Sequence, residues 1–75
     1  MITADYRIEL EGELGIDVRP AFAPALVEAD RGRTIVLACD IDQAALYDLL
    51  DRARGLGLAL LGVEALVDRA GPSDR

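Results

Sequence analysis

Residues 33–67 contain a strand, a capped helix and a second strand, each with its own start and stop signals. Asp42 is an N-cap candidate, because its carboxylate can accept hydrogen bonds from the free amides of the following turn. An apolar stripe with the period of a helix follows, formed by Leu46, Leu49, Leu50 and Ala53. Gly55 fits the left-handed position after a helix. This strand–helix–strand unit constrains the fold more than any other segment.

The chain before the helix predicts a strand and a hairpin. Residues 6–11 alternate between apolar and charged side chains, which is typical of a half-buried strand. Residues 25–29 and 33–39 flank a short polar connection that ends in Gly32, which indicates a β-hairpin. The second arm is apolar on both faces, with Ile35, Leu37 and Cys39 on one and Val36 and Ala38 on the other. Such a strand is central in its sheet, or its far face is covered.

Residues 13–24 show no consistent hydrophobic period. Pro20 suits the first turn of a helix, whereas Pro24 pushes the residue before it towards extended geometry. We expect a loop with one or two irregular helical turns and with Phe22 in the core. The order of elements is then that of the α+β ferredoxin-like fold, βαββαβ with an antiparallel sheet, with a degraded or short first helix. A ββαβ arrangement without that helix is the alternative.

Length and composition limit how such a chain is stabilised. A chain of 75 residues buries only about 60–65% of its unfolded surface, so a single domain of this size is marginally stable alone. We assign residues 1–69 to this domain and residues 70–75 to a polar tail. Because Cys39 is the only cysteine and histidine is absent, an intrachain disulfide is excluded and a structural zinc site is not expected. Oligomerisation or an efficient hydrophobic core remains as the source of the domain's stability.

Charge and hydropathy disfavour several functions. The net charge of −6 repels phosphate backbones and few aromatic side chains are present, so we expect no nucleic-acid partner. No apolar run approaches the roughly 20 residues that span a bilayer, and no signal-peptide pattern is visible, so we expect a cytoplasmic protein without membrane contact. Histidine, lysine and any catalytic motif are lacking. We therefore expect no enzymatic activity and no cofactor.

The most reactive side chains have structural explanations. Cys39 ends an apolar strand and has no histidine that could act as its base, so we expect a small buried hydrophobic residue. Asp40 and Asp42 stand two residues apart, but nothing else completes an oxygen cage for a cation at a recognisable spacing. We expect one helix cap and one solvated acid.

We expect the partner surface to lie on one face of the sheet. Helices cover one face of a ferredoxin-like sheet, and the opposite face is expected to display Arg7, Glu9, Thr34, Val36 and Ala38. A mixed, partly apolar sheet face on a marginal domain is typical of a dimer or partner surface, and Tyr47 lies on the flank of the helix stripe. We predict a non-enzymatic interaction module that forms a homo-oligomer or binds a partner protein. The alternative is a regulatory domain that binds a small molecule between the sheet and residues 13–24.

Residues 58–67 form the last predicted strand, and their pattern is unusual for a strand that packs within a single chain. It lacks clean alternation, and Gly62 marks a bulge or a close approach of another backbone. Folding within one subunit does not explain this pattern, so a partner is expected here as well as at Val36 and Ala38.

The C-terminal half also carries a family resemblance. Residues 42–66 read DQAALYDLLDRARGLGLALLGVEAL, and Thr34, Val36 and Leu37 precede them. This pattern resembles that of short uncharacterised actinobacterial-type proteins, whose C-terminal half runs TVLTG and then DQAALHGLLxRxRDLGLPLxSV. The chain departs from it at Tyr47, where histidine is frequent in the group. The resemblance implies the fold and an actinobacterial-type source, with no assigned activity.

Overall fold

The computed structural model of this chain describes residues 2–13 and 19–68, with side chains up to residue 66. The elements in that part are strand β1 (Ala4–Glu11), helix α1 (Arg19–Phe22), strands β2 (Leu26–Asp30) and β3 (Arg33–Ile41), helix α2 (Gln43–Gly55) and strand β4 (Leu60–Asp68). The predicted tail at residues 70–75 lies outside the described residues, as do Leu14, Ile16 and Val18. None of the described helices is long and apolar enough to cross a membrane.

The strands form one open antiparallel sheet in the order β2-β3-β1-β4. Strands β1 and β3 are therefore central, and β2 and β4 lie at the edges within the described part of the chain. The prediction of an α+β domain with an antiparallel sheet is confirmed. In the described part of residues 13–24, the helix α1 forms one turn.

The β2–β3 hairpin turns through Arg31 and Gly32, whose φ angles are 54° and 81°. A two-residue turn with positive φ at both positions matches the twist of the paired strands and fixes their register. As a result, Val27 lies opposite Val36. In β1, Ile8 also lies opposite Val36, so these three side chains point to the same face of the sheet.

One face of the sheet packs against the helices to form the core. The cluster of buried core residues comprises Ile8, Leu10, Val36 and Ala38 from the strands and Phe22, Leu46, Leu49 and Ala53 from the helices. Phe22 is buried as predicted, although α1 is only one turn long. Each large apolar side chain buried here stabilises the fold by about 1.5–3 kcal/mol before entropic costs are subtracted.

Helix α2 begins as its sequence predicts. Asp42 Oδ1 accepts a hydrogen bond from the backbone N–H of Ala45 at 2.8 Å, which confirms the N-cap. Arg52 and Asp48 form an i,i+4 ion pair at 2.8 Å. Arg52 also donates to the carbonyl oxygen of Ala21 at 2.9 Å and so ties α2 to α1.

The end of α2 corrects the prediction for Gly55. Gly55 is the last helical residue, and Gly57 takes the left-handed conformation with φ 77°. The backbone N–H of Gly57 donates to the Arg54 carbonyl at 3.0 Å, and that of Leu58 donates to the Ala53 carbonyl at 3.1 Å. This is the Schellman arrangement, and it directs Leu58 onto the core.

Candidate functional site

Strand β4 is an edge strand with an unusually apolar surface. Its exposed large apolar side chains, with the accessible fraction of each, are Leu60 (51%), Leu61 (50%), Val63 (41%) and Leu66 (45%). Glu64 is the only charged residue between positions 60 and 66, and proline and lysine are absent. Edge strands in soluble proteins normally carry such residues, because an unpaired strand edge is a template for another strand. Residues 60–66 therefore carry few of the charges that usually protect a strand edge.

The pairing of β4 with β1 explains why these side chains are exposed. Leu60 and Val63 lie opposite Leu10 and Ile8, which are buried. Opposite residues in an antiparallel pair point to the same face, so Leu60 and Val63 point to the helix-covered side. The core cluster joins α2 and Phe22 to strands β1 and β3 and includes no described side chain of β4. Leu60 and Val63 thus extend the core surface without a cover in the described part.

Two irregularities divide β4 into segments. The β1–β4 register shifts between Glu9 and Leu10 and again between Asp5 and Tyr6. The first shift falls beside Gly62 and confirms a bulge there. No described atom lies within 4 Å of an added Cβ at Gly62, so close approach within this chain is not its cause. Between the shifts, residues 62–65 pair with β1 without interruption.

A groove of about 400 Å³ separates α2 from the start of β4. Its lining residues are Tyr47, Leu50, Asp51, Ala53, Arg54, Leu58 and Leu60. Arg54 and Asp51 form an ion pair at 2.9 Å there, while 62% of Tyr47 is exposed. The groove shares Leu60 with β4, so the apolar edge and the groove form one surface. We call residues 60–66 together with this groove the β4 surface.

Three residues of the predicted partner surface lie in the wrong place for that role. Thr34, Val36 and Ala38 are almost completely buried. They lie opposite Leu10, Ile8 and Tyr6 of β1 and therefore point towards the helices, not towards the open face. Thr34 Oγ1 also donates to the carbonyl oxygen of Gly12 at 2.6 Å. The predicted exposure of these three side chains is wrong, because the hairpin register turns them inward.

Arg7 and Tyr47 retain accessible surface. Arg7 lies on the open face of the sheet, opposite Glu64 of β4, with its guanidinium 3.6 Å from the carboxylate of Glu9. Arg33 also pairs with Glu9. The open face around β1 is therefore a network of charges rather than the mixed apolar surface that the sequence predicted. Such exposed pairs contribute little to stability, but they keep this face hydrated.

A second cleft, of about 350 Å³, opens at the opposite end of the sheet. Its lining residues are Phe22, Ala23, Pro24, Ala25, Leu26, Leu37, Ala38, Cys39, Ile41, Ala45, Asp48, Leu49 and Arg52. Cys39 is a free and exposed thiol, so its predicted burial is wrong. It shares its face of β3 with Ile35 and Leu37, away from the core.

The carboxylates at the end of β3 have structural roles. Asp40 has φ 58° where the β1–β3 register shifts, and its N–H donates to Asp5 Oδ1 at 2.8 Å. Thr3 Oγ1 donates to Asp40 Oδ1 at 2.6 Å, while Asp42 caps α2. Among the described residues, no group of three or more acidic, cysteine or histidine side chains is arranged to hold a metal ion.

Comparison with protein families adds one finding. The family model described as a domain of unknown function (DUF8691) matches residues 5–64. The chain belongs to this family. The matched DUF8691 region extends from β1 to the middle of β4 and so includes the core and most of the β4 surface. No curated protein matches the chain, and no solved structure matches it.

Proposed function

We propose that this DUF8691 domain is a small, non-enzymatic, cytoplasmic interaction module that self-associates or binds a partner protein through its sheet. The observation that carries the proposal is the β4 surface: an edge strand with exposed Leu60, Leu61, Val63 and Leu66. An edge of this kind gains main-chain hydrogen bonds and buries apolar side chains when another strand is added. The predicted binding through the sheet is retained, and its location moves from the open face to the edge.

We further propose that the fold is ferredoxin-like with a shortened first helix. Support comes from the chain order of the elements and from the sheet order β2-β3-β1-β4, which is the order of two interleaved βαβ units. Among the described residues, α1 is one turn long, and the core cluster includes no side chain of β4.

The molar mass in solution tests self-association. The chain has a mass of 8.0 kDa, and light scattering at increasing concentration should show a rise towards twice that value. Leu61→Arg places a charge on β4 and should suppress the rise. The matched control is Leu26→Arg, because Leu26 is 63% exposed on the opposite edge strand. An equal effect of both substitutions would contradict a role for β4.

The other possibility is that the β4 surface binds a different protein. If the wild type stays at 8.0 kDa, the proposal requires a heterologous partner whose binding is lost in Leu61→Arg and kept in Leu26→Arg. A protein that stays monomeric and shows no β4-dependent binding to proteins of its source would contradict the proposed function altogether.

The second cleft favours one alternative, a domain that binds a small molecule. Its volume of about 350 Å³ falls in the range of ligand pockets, about 300–1,000 Å³, and its lining is mainly apolar as in such pockets. The cleft lies between β3 and the segment after α1, where the sequence placed a ligand. Arg52 and Asp48 supply polar groups at its rim.

Cys39 gives this alternative a direct assay, because it is among the residues that line the cleft and carries the only thiol in the chain. A ligand in the cleft should slow the reaction of Cys39 with a thiol reagent. It should also raise the free energy of unfolding by about 2.7 kcal/mol at a hundred times its dissociation constant. A metabolite panel that changes neither the labelling rate nor the melting temperature would reject the alternative.

A further inference from the structure

We infer that the β4 surface binds a second copy of this chain, with the two β4 strands antiparallel and Val63 opposite its symmetry mate. This inference rests on the proposed function and names the partner. A two-fold axis through Val63 would join two four-stranded sheets into one of eight strands, a number within the usual range of about 2–10 for a sheet.

The faces of the strand restrict the possible registers. In an antiparallel pair, residues that lie opposite each other point to the same face. Val63 and Ala65 point to the helix side, because they lie opposite Ile8 and Tyr6, while Glu64 points to the open side with Arg7. A continuous two-copy sheet must therefore be centred on a residue and not between two residues. Within the uninterrupted segment, the candidate centres are Gly62, Val63, Glu64 and Ala65.

Charge and shape select Val63 among these centres. Centring on Glu64 would place two carboxylates directly opposite each other, which destabilises a strand pair. If the axis passed through Gly62, the glycines of the two copies would meet there without side chains to pack. The same register would place Glu64 opposite Leu60. Centring on Ala65 would move the pairing beyond the uninterrupted segment. With Val63 at the axis, each Glu64 faces a Gly62, and both residues lie within the uninterrupted segment.

Gly62 has a specific place in this register. An added Cβ at Gly62 would meet no described atom of its own chain within 4 Å, so packing among the described residues does not require a glycine here. Opposite Glu64 of the second copy, the missing side chain leaves room for a carboxylate on the open face. In this register Gly62, which also lies beside the bulge in β4, provides that room.

The size of the domain favours a second copy as the occupant. The described part exposes 4945 Å², and a standard interface of about 800 Å² per partner would cover roughly a sixth of that surface. Domains of this length are marginal alone and are commonly stabilised by disulfides, metals or association. Cys39 is the only cysteine and histidine is absent, so association is the route of these three that the composition leaves open.

A single-cysteine cross-link tests the register. Opposite residues in an antiparallel pair have Cα atoms about 4.5–5.5 Å apart, within the span of about 4.4–6.8 Å that a disulfide bridges. In a Cys39→Ser background, Val63→Cys should form a reducible dimer under mild oxidation. Leu26→Cys in the same background is the control on the other edge strand and should remain monomeric. A Leu26→Cys cross-link that forms as fast as the Val63→Cys one would overturn the inference.

Charge substitutions at Gly62 give a second test that does not depend on disulfide chemistry. Gly62→Arg should tighten the dimer several-fold, since each new guanidinium faces Glu64 of the other copy, and Gly62→Glu should weaken it by at least as much. Both side chains fit the single chain, because the position is open. Equal effects of the two substitutions, or no effect of either, would overturn the register.

The outcomes separate this inference from the proposed function. A dimer that resists Gly62→Glu, and whose Val63→Cys variant fails to cross-link, removes the β4–β4 arrangement and leaves self-association in place. A wild type that is monomeric at all concentrations overturns the inference, whereas β4-dependent binding of another protein would still support the proposed function.

Discussion

Two glycines at the end of α2 allow a sharp test of the local structure. Gly55 is helical, whereas Gly57 has φ 77°. An added Cβ would meet no atom within 4 Å at either position, so alanine substitutions there change backbone energetics and not packing. Gly55→Ala should raise the free energy of unfolding by about 0.4–1 kcal/mol, because alanine restricts the unfolded chain. Gly57→Ala should lower it by about 1–2 kcal/mol, the cost of a left-handed residue with a Cβ.

Thermal unfolding followed by circular dichroism measures both effects. For a domain of 60–100 residues, 1 kcal/mol corresponds to roughly 4–8 °C in Tm, so the two variants should differ in Tm by at least about 5 °C and in opposite directions from the wild type. Each should be measured at several protein concentrations, because association also raises Tm. A Gly57→Ala variant as stable as Gly55→Ala would show that the helix does not end in a Schellman motif at Gly57.

Three further predictions concern the core, the cap and the thiol. Phe22→Ala should destabilise the domain by about 3–5 kcal/mol in denaturant titrations, a large share of the stability of a small domain; a loss below 1 kcal/mol would contradict its burial. Asp42→Ala should cost about 1 kcal/mol, whereas Asp42→Ser should retain most of the stability, because serine also caps helices. Cys39 should react with a thiol reagent in the native protein at the rate of its unfolded form within about tenfold, since the thiol is exposed; labelling that requires unfolding would contradict that exposure.

The elements predicted best were those whose local signals agree. The N-cap at Asp42 and the apolar stripe both follow from helix geometry and are confirmed. The end of the helix was less predictable, because Gly55 and Gly57 satisfy the same local rule. The choice depends on where the next apolar residue reaches the core, and Leu58 reaches it only when Gly57 makes the turn.

The faces of β3 were assigned wrongly because both are apolar. The hairpin contained the missing signal: a two-residue turn places Val27 opposite Val36 and Glu28 opposite Ile35, so the alternation in β2 shows which face of β3 is buried. Ile35 is nevertheless buried on the open face, between Glu28 and Glu9 in the register. The sequence pattern cannot distinguish an apolar residue that long neighbouring side chains cover in this way from a residue of the core.

The candidate site was partly visible in the sequence. Lack of alternation after Leu58 and the position of Gly62 pointed to an unusual strand, and the bulge at Gly62 is confirmed. That β4 is an edge strand whose Leu60 and Val63 stay exposed depends on the sheet order and on which strands α2 covers. Both are properties of the whole fold, so local patterns could not reveal them.

Sedimentation equilibrium of the wild type and of Val63→Arg, with Leu26→Arg as the control, tests the central claim most directly. We predict that the wild type and Leu26→Arg form dimers with similar dissociation constants. We predict that Val63→Arg, which would place two like charges at the two-fold axis, dimerises at least a hundredfold more weakly while remaining folded by circular dichroism. Equal dissociation constants for the wild type and Val63→Arg would contradict the assignment of β4 as the interaction surface.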